Sequence, residues 1–411
     1  MSNKFVYECI DCGKQFDTKE IMYLCPHCSK ENNESNPPKG VLRIVYNFTE
    51  LFQKNILFNN LKRDNFLKLL PIHSIASVPK LKVGDTPLYE FNDLNSKKLP
   101  FKLFLKDDSQ NPTFSFKDRA SAIVSAFAKE NNLETIVTAS TGNAGSSLAG
   151  ICAAQKQKAI IMVPEKAPLA KLTQIIMYGA TIVPVKGTYD DAFDLSVKAT
   201  EEFGWYNRNT AFNPFTIEGK KTVSFELFEQ LKETIPDRIF VPVGDGVIIS
   251  GVYKGFEDLL NLKIIDKIPT IVAVQSEGSD NISRNLNNDE FKIKASNTIA
   301  DSISVDIPRN FYMAKGFIKK YKGESIIVTD NEILEASAIL SRNTGIFSEP
   351  AASTSFAGML KYYQENKLDK DSKNVVLLTG SGLKDLNSVQ KLLNIPESIH
   401  PTIDNLKNLI S

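Results

Sequence analysis

Read as residues alone, the chain is expected to fold as an α/β protein: parallel sheets with helices on both faces, preceded by a small cysteine-bearing segment. Short apolar runs of strand length recur along it, and helical segments alternate with them. Two Cys-x2-Cys pairs lie close together near the N-terminus. At 411 residues the chain exceeds what one compact core usually holds, so about two or three domains are expected.

The first element is the cysteine segment, residues 1–35. Cys9/Cys12 and Cys25/Cys28 are separated by twelve residues. Tetrahedral zinc needs four thiolates brought together, and two such turns joined by a short loop do that. The expected site is structural, a zinc-ribbon-like knuckle without an open coordination position; the competing reading is a knuckle that has lost its metal. His27, between Cys25 and Cys28, reads as a loop residue rather than a ligand. The polar, Pro-containing ESNPPKG at 34–40 reads as a linker, and 41–80 shows no clean period. Then the pattern becomes regular. ETIVTAS (134–140), AIIMVPE (159–165) and TIVPVKG (181–187) read as buried strands, with helices at 142–157, 168–179 and 189–203 around them. RIFVPVG (238–244), TIVAVQS (270–276), ESIIVTD (324–330) and NVVLLTG (374–380) repeat the strand signal, and a helix over 331–343 is expected to start at Asp330 as N-cap.

Charge and composition exclude several function classes. Lys plus Arg (49) nearly cancels Asp plus Glu (48), which argues against a basic nucleic-acid binder and against an acidic interaction tail. No apolar run reaches membrane-spanning length and the first residues lack a signal-peptide core, so a cytoplasmic protein is expected, with no membrane or nucleic-acid partner. Cys152, in an apolar helical stretch, reads as a core residue. Of three His (His27, His73, His400), one lies in the cysteine cluster and one near the C-terminus, so a histidine general base is not expected.

In parallel sheets ligands bind beyond the carboxyl ends of the strands. Three expected strands run there into Gly-rich turns, TASTGNAGSS, VPVGDGVIIS and LTGSGLKD, whose helix N-termini attract anions. Together they suggest a ligand with several anionic groups, or a cofactor plus a substrate. In KDDSQNPTFSFKDRA (106–120), Lys117 sits between a turn with two Phe and the start of an amphipathic helix. Desolvation and the positive helix end would both lower its pKa, as Schiff-base chemistry requires. The plain alternative is a surface lysine in a charged triplet.

NPTFSFKDRA, STGNAGSS, the 244–248 glycine turn, EPAASTSFAG (349–358) and LTGSGLKD (378–385) stand in the order seen in threonine synthases, which the chain resembles from about residue 5 to about 390. These are pyridoxal 5′-phosphate (PLP) enzymes of the tryptophan-synthase-β type, fold type II, and FVYECIDCGKQFD with YLCPHC resembles the cysteine knuckle that often precedes their catalytic domain. The resemblance implies two parallel-sheet, three-layer domains: a large PLP-binding one (36–119 and 236–411) and a small mobile one (120–235). It further implies that Lys117 binds PLP covalently and shuttles protons, and that Asn143 hydrogen-bonds the ring hydroxyl oxygen. Gly244, Asp245, Gly246, Val247 and Ile248 would wrap the cofactor phosphate, and Thr379, or Ser381 two residues on, would face the pyridine nitrogen. Ser140 and Thr141 would hold the substrate carboxylate; their plain reading is turn chemistry. Glu349, at an expected helix start, reads as a dipole partner, Lys171 and Gln174 as a solvated helix face, and Trp205 and Tyr206 as packing.

Two departures bear on the substrate. Asp245 stands where the family carries Asn or Gly, so its carboxylate should point away from a phosphate or serve another group. In NPFTIEGKKT (213–222) Thr216 occupies the position of an Arg that binds the substrate phosphate, and Lys220, Lys221 or Arg309 is left to replace it. The resemblance implies conversion of O-phospho-L-homoserine and water to L-threonine and phosphate, by a homodimer. The alternatives are a threonine or serine ammonia-lyase, a cysteate synthase-like enzyme acting on O-phosphoserine, and a non-catalytic scaffold.

Overall fold

A computed structural model of the chain describes residues 4–53, 57–393 and 395–410. The N-terminal strands β1 (Phe5–Cys9), β2 (Gln15–Phe16) and β3 (Leu42–Tyr46) form an antiparallel sheet in the order β2-β1-β3. The sheet therefore takes its third strand from beyond the linker. Alternate residues of β1 and β3 are buried (Phe5, Tyr7, Cys9; Leu42, Ile44, Tyr46), the period of a sheet with one covered face. Two short helices follow, α1 (Phe48–Gln53) and α2 (Phe58–Arg63).

β4 (Leu88–Leu94) and β5 (Lys97–Asp107) form an antiparallel hairpin whose turn residues Asn95 and Ser96 both have positive φ. α3 (Lys117–Glu130) then leads into a second sheet. Its elements are β6 (Thr135–Ala139), α4 (Asn143–Gln155), β7 (Lys158–Pro164), α5 (Leu169–Met177), β8 (Thr181–Val185), α6 (Tyr189–Phe203) and β9 (Tyr206–Asn207). This sheet is parallel, in the order β8-β7-β6-β9. Its strands are apolar on both faces. Ile136 and Ile161 join the core with α3, α4 and the N-terminal sheet, whereas Val137 and Met162 pack with Phe193 of α6.

α7 (Phe215–Lys220) and α8 (Thr222–Gln230) carry the chain back. The remaining elements are β10 (Arg238–Pro242), α9 (Val247–Asn261), β11 (Thr270–Ser276), α10 (Phe311–Lys320), β12 (Glu324–Val328), α11 (Asp330–Thr344), α12 (Pro350–Gln364), β13 (Lys373–Leu378) and α13 (Ile403–Ile410). With the hairpin they make a six-stranded sheet, β12-β11-β10-β13-β5-β4, parallel except for β4. α8, α9 and α10 cover one face of this sheet and α11 and α12 the other. The strand order reverses at β10, whose neighbours are β11 and the late-arriving β13, and ligands bind at such switch points. The seven expected strands are all present, within a residue or two of their expected ends. The cap of α11 differs by one position: Thr329, not Asp330, is the N-cap, in a capping box with Glu332. Asp330 is the first helical residue, and its carboxylate accepts from Ser276 and Thr298. Among the described residues no helix is long and apolar enough to cross a membrane.

Candidate active site

The C-terminal ends of β5, β6, β10 and β13 and the loops after them converge. The segment 113–117 is held by the loop after β13: the Phe116 N–H donates to the Thr379 carbonyl at 2.9 Å and the Ser381 N–H to the Phe114 carbonyl at 3.1 Å. That stitching places Lys117, the first residue of α3, beside Thr379. Asp118 pulls the turn tight by accepting from the Thr113 N–H at 2.7 Å. Burial lowers the Lys117 pKa, Glu349 opposes the shift, and Arg208 adds to it. Lys117 is half-buried with its amine desolvated, which a solvated surface lysine would not be.

Asn143 opens α4 after the Ser140–Gly142 turn, with Gly142 as N-cap. Its amide donates to both Glu349 carboxylate oxygens, at 2.9 and 3.0 Å, so the small sheet and the large one meet here. Glu349 precedes Pro350 of α12. Burial raises its carboxyl, while Asn143 and Lys117 pull the other way. An alanine Cβ at Gly380 would stand 2.5 Å from Glu349 Oε1, so a side chain there would displace the carboxylate that Asn143 holds. Ser140 and Thr141 are half-buried at the same mouth, the Ser140 hydroxyl accepting from the Gly142 N–H.

Beyond β10, Gly244–Gly246 turn into α9. Gly246 is its N-cap at φ +85°, where an added Cβ would also meet Ala314 at 2.9 Å. The first-turn N–H groups behind it form an anion-binding helix start. The Asp245 carboxylate serves another group: it accepts from the Arg309 N–H at 3.1 Å. Arg309 itself pairs with Asp190 and lies over the Phe193 ring, and Lys221 pairs with Glu218 and Asp258, so both are committed. Thr216 is fully buried and donates to the Asn213 carbonyl at 2.8 Å.

Two fully buried cations remain. Lys220 Nζ and Arg208 Nη2 have no hydrogen-bond partner among the described residues. Arg208 was not singled out from the sequence, and no local signal marks it. Lys171 and Gln174 do more than face solvent: Lys171 pairs with Asp301, and Gln174 accepts from Lys384 of the β13 loop. Cys152 and Tyr206 are core residues, as expected.

A desolvated amine at one helix start and a glycine-bounded helix N-terminus able to take an anion fit a phosphorylated carbonyl cofactor such as PLP. The comparisons agree. The chain matches the pyridoxal-phosphate dependent enzyme family over residues 80–380. Serine racemase from Dictyostelium discoideum superposes with a TM-score of 0.63, at 27% identity, over 80% of this chain and 98% of its own. Fold and site thus define a PLP-dependent enzyme of fold type II. A threonine synthase from Methanocaldococcus jannaschii is 36% identical over 98% of both chains, and one from Methanosarcina acetivorans 32% identical over 98% of both. The chain belongs to the threonine synthase family.

The four N-terminal cysteines also come together. The Cys9, Cys12, Cys25 and Cys28 sulfurs all lie within 4.8 Å of one another, with Cys12 and Cys25 3.9 Å apart. Tetrahedral Zn–S bonds of about 2.3 Å give S···S edges of about 3.8 Å, so the donor set suits zinc. His27 instead faces Lys14, 2.9 Å away.

Proposed function

We propose that the enzyme converts O-phospho-L-homoserine and water to L-threonine and phosphate. The observation that carries this reading is the desolvated Lys117 amine at the start of α3, within electrostatic reach of Asp245 in the glycine turn before α9 and of Arg208, one of two buried cationic side chains with an unpartnered nitrogen. PLP, when bound, supplies the electron sink that lets a proton leave carbon beside the amino group. Lys117 would hold it. Asn143 would serve its ring hydroxyl, the Gly244–Ile248 backbone its phosphate, and Thr379 its ring nitrogen as a neutral partner. Ser140 and Thr141 at the α4 start would take the substrate carboxylate.

Lys117 then acts as the proton carrier. Its burial favours the neutral amine, which can remove one proton from Cα and one from Cβ. The Cγ–O bond breaks and phosphate leaves with the bonding pair. One proton returns to Cγ and one to Cα; the hydroxyl of water adds at Cβ and its remaining proton goes to phosphate. The test is inorganic phosphate release from O-phospho-L-homoserine with the amino-acid product identified. Phosphate plus threonine is expected; holoenzyme that releases none would reject the reading.

A second reading is favoured by Thr216, which offers no charge to a substrate phosphate. It is β-elimination or β-replacement on serine, threonine or O-phosphoserine, seen in the same assay as keto-acid or replacement product from those substrates.

The four cysteines support a structural zinc. Stoichiometric zinc is expected by metal analysis, and a chelator should lower the melting temperature by roughly 2 °C, the order expected for a loss of a kcal/mol or two in a chain of this size. A metal-free protein with an unchanged melting curve would remove zinc from the description.

A further inference from the structure

Consecutive helical residues point about 100° apart, so two adjacent lysines at the end of a short helix should leave at least one in water. Lys220, the last residue of α7, and Lys221, its C-cap, are both fully buried. Lys221 is neutralised by Glu218 and Asp258 and lies under the Tyr46 ring, 4.2 Å from its centroid. Lys220 has no such arrangement: its Nζ is unpartnered, and its stem runs along α9, where a Cβ at Gly251 would meet the Lys220 Cβ at 2.7 Å. Arg208, just after β9, spends Nε on Ser121 at 3.2 Å and Nη1 on Thr210 at 3.1 Å and leaves Nη2 free. The charges that Lys220 senses are Arg208, Lys117 and Asp245. Two of these three repel it, and the Asp245 carboxylate already serves the Arg309 N–H.

Burial without a partner pushes the Lys220 pKa well below the ordinary lysine value, Arg208 and Lys117 push it further, and an anion set against Lys220 and Arg208 would reverse that and restore the charge. The ligand that relieves both is a dianion with several acceptor oxygens, a phosphoryl group. Two such groups reach this site under the proposed function. The cofactor phosphate already has the α9 backbone seat behind Gly246. Lys220, meanwhile, lies one turn on from Thr216 on the same face of α7, because i and i+4 are helix neighbours. We propose that Lys220 and Arg208 form the seat for the substrate's phosphoryl group, Lys220 supplying from the next turn of α7 the charge that position 216 lacks. This rests on the reading of the substrate as a phosphorylated amino acid.

The test uses holoenzyme carrying Lys220→Met, an uncharged side chain of similar length, and Arg208→Gln. Three quantities are read: KM for O-phospho-L-homoserine, inhibition by inorganic phosphate, and retention of the cofactor's visible absorbance through dialysis. Expected for Lys220→Met is a KM increase of roughly 10- to 100-fold, the worth of one charge-assisted hydrogen bond. Phosphate inhibition should weaken in the same proportion and cofactor retention should not change. Cofactor lost on dialysis with KM and phosphate inhibition intact would overturn the proposal, because the cations would then serve the cofactor phosphate. So would three unchanged readouts. If the variants do not fold, calorimetry of inorganic phosphate with wild-type holoenzyme decides, and no phosphate binding overturns the proposal. A wild type that binds phosphate through Lys220 yet leaves O-phospho-L-homoserine intact would sink the proposed reaction and keep the seat.

Discussion

Lys117→Ala is expected to abolish turnover, by on the order of 1,000-fold or more, and to remove the visible absorbance of bound cofactor. The size follows from two losses in one substitution: the covalent tether and the proton carrier. Among the described residues no histidine stands at the site to take over: His27 faces Lys14, and the His73 N–H donates to Glu130. The carboxylates nearby are committed, Glu349 to Asn143 and Asp245 to the Arg309 N–H. Lys117→Arg should not rescue, because an arginine stays protonated near neutral pH and cannot accept the substrate's proton. Phosphate release and absorbance are read on the same sample, with far-ultraviolet dichroism to confirm folding. Turnover within about tenfold of wild type would remove Lys117 from the chemistry.

Arg119→Met should strongly destabilise the fold beneath the site. Arg119 is two residues beyond Lys117 in α3 and is fully buried. Its guanidinium donates to Asp108 at 2.6 and 2.9 Å and to Glu226 of α8 at 2.5 and 2.7 Å, while Lys106 completes the network at 2.8 Å from Glu226. Removing it leaves Asp108, itself fully buried, without its cation, a change that costs about 3–5 kcal/mol. Denaturant titration reads this directly; a loss below about 1 kcal/mol would show the network to be dispensable.

The same network sets a pH dependence. Burial pushes the Glu226 carboxyl up, but Arg119 and Lys106 pull it further down, to about 2 from an ordinary 4.5. A depressed carboxyl stabilises the fold fully above the unfolded pKa and loses that contribution as pH falls through the folded one. Wild type should therefore lose stability between about pH 4.5 and pH 2, and Arg119→Met should show a shallower loss there.

Much of the large architecture was legible because strands buried on both faces read as continuous apolar runs, as RIFVPVG and TIVAVQS do. The β4–β5 hairpin was not legible. Its exposed residues, Glu90, Asp93, Lys97 and Lys98 among them, break the apolar pattern of an edge strand. The short helices α7 and α8 also escaped, because every residue of α7 is buried and no polar face remains to give a period. At the site, Lys117 and Asn143 took their roles from the resemblance to threonine synthases, whereas the Gly-rich turns announced themselves through local turn and helix-start chemistry. The partners did not: Asn143 and Glu349 are 206 positions apart.

Local chemistry was thus enough to name the strand-forming runs, the glycine turns and the four cysteines, since each depends on spacing within about a dozen residues, while Lys117 needed the order of five motifs along the chain. Which charges face one another was decided only when the chain folded. Lys220 and Lys221 are neighbours of one residue type, yet one meets Glu218 and Asp258 while the other is left beside Arg208 and Lys117. The difference lies in what α9, β9 and the N-terminal sheet bring against α7, and burial makes each of those long-range meetings count for far more than it would in water.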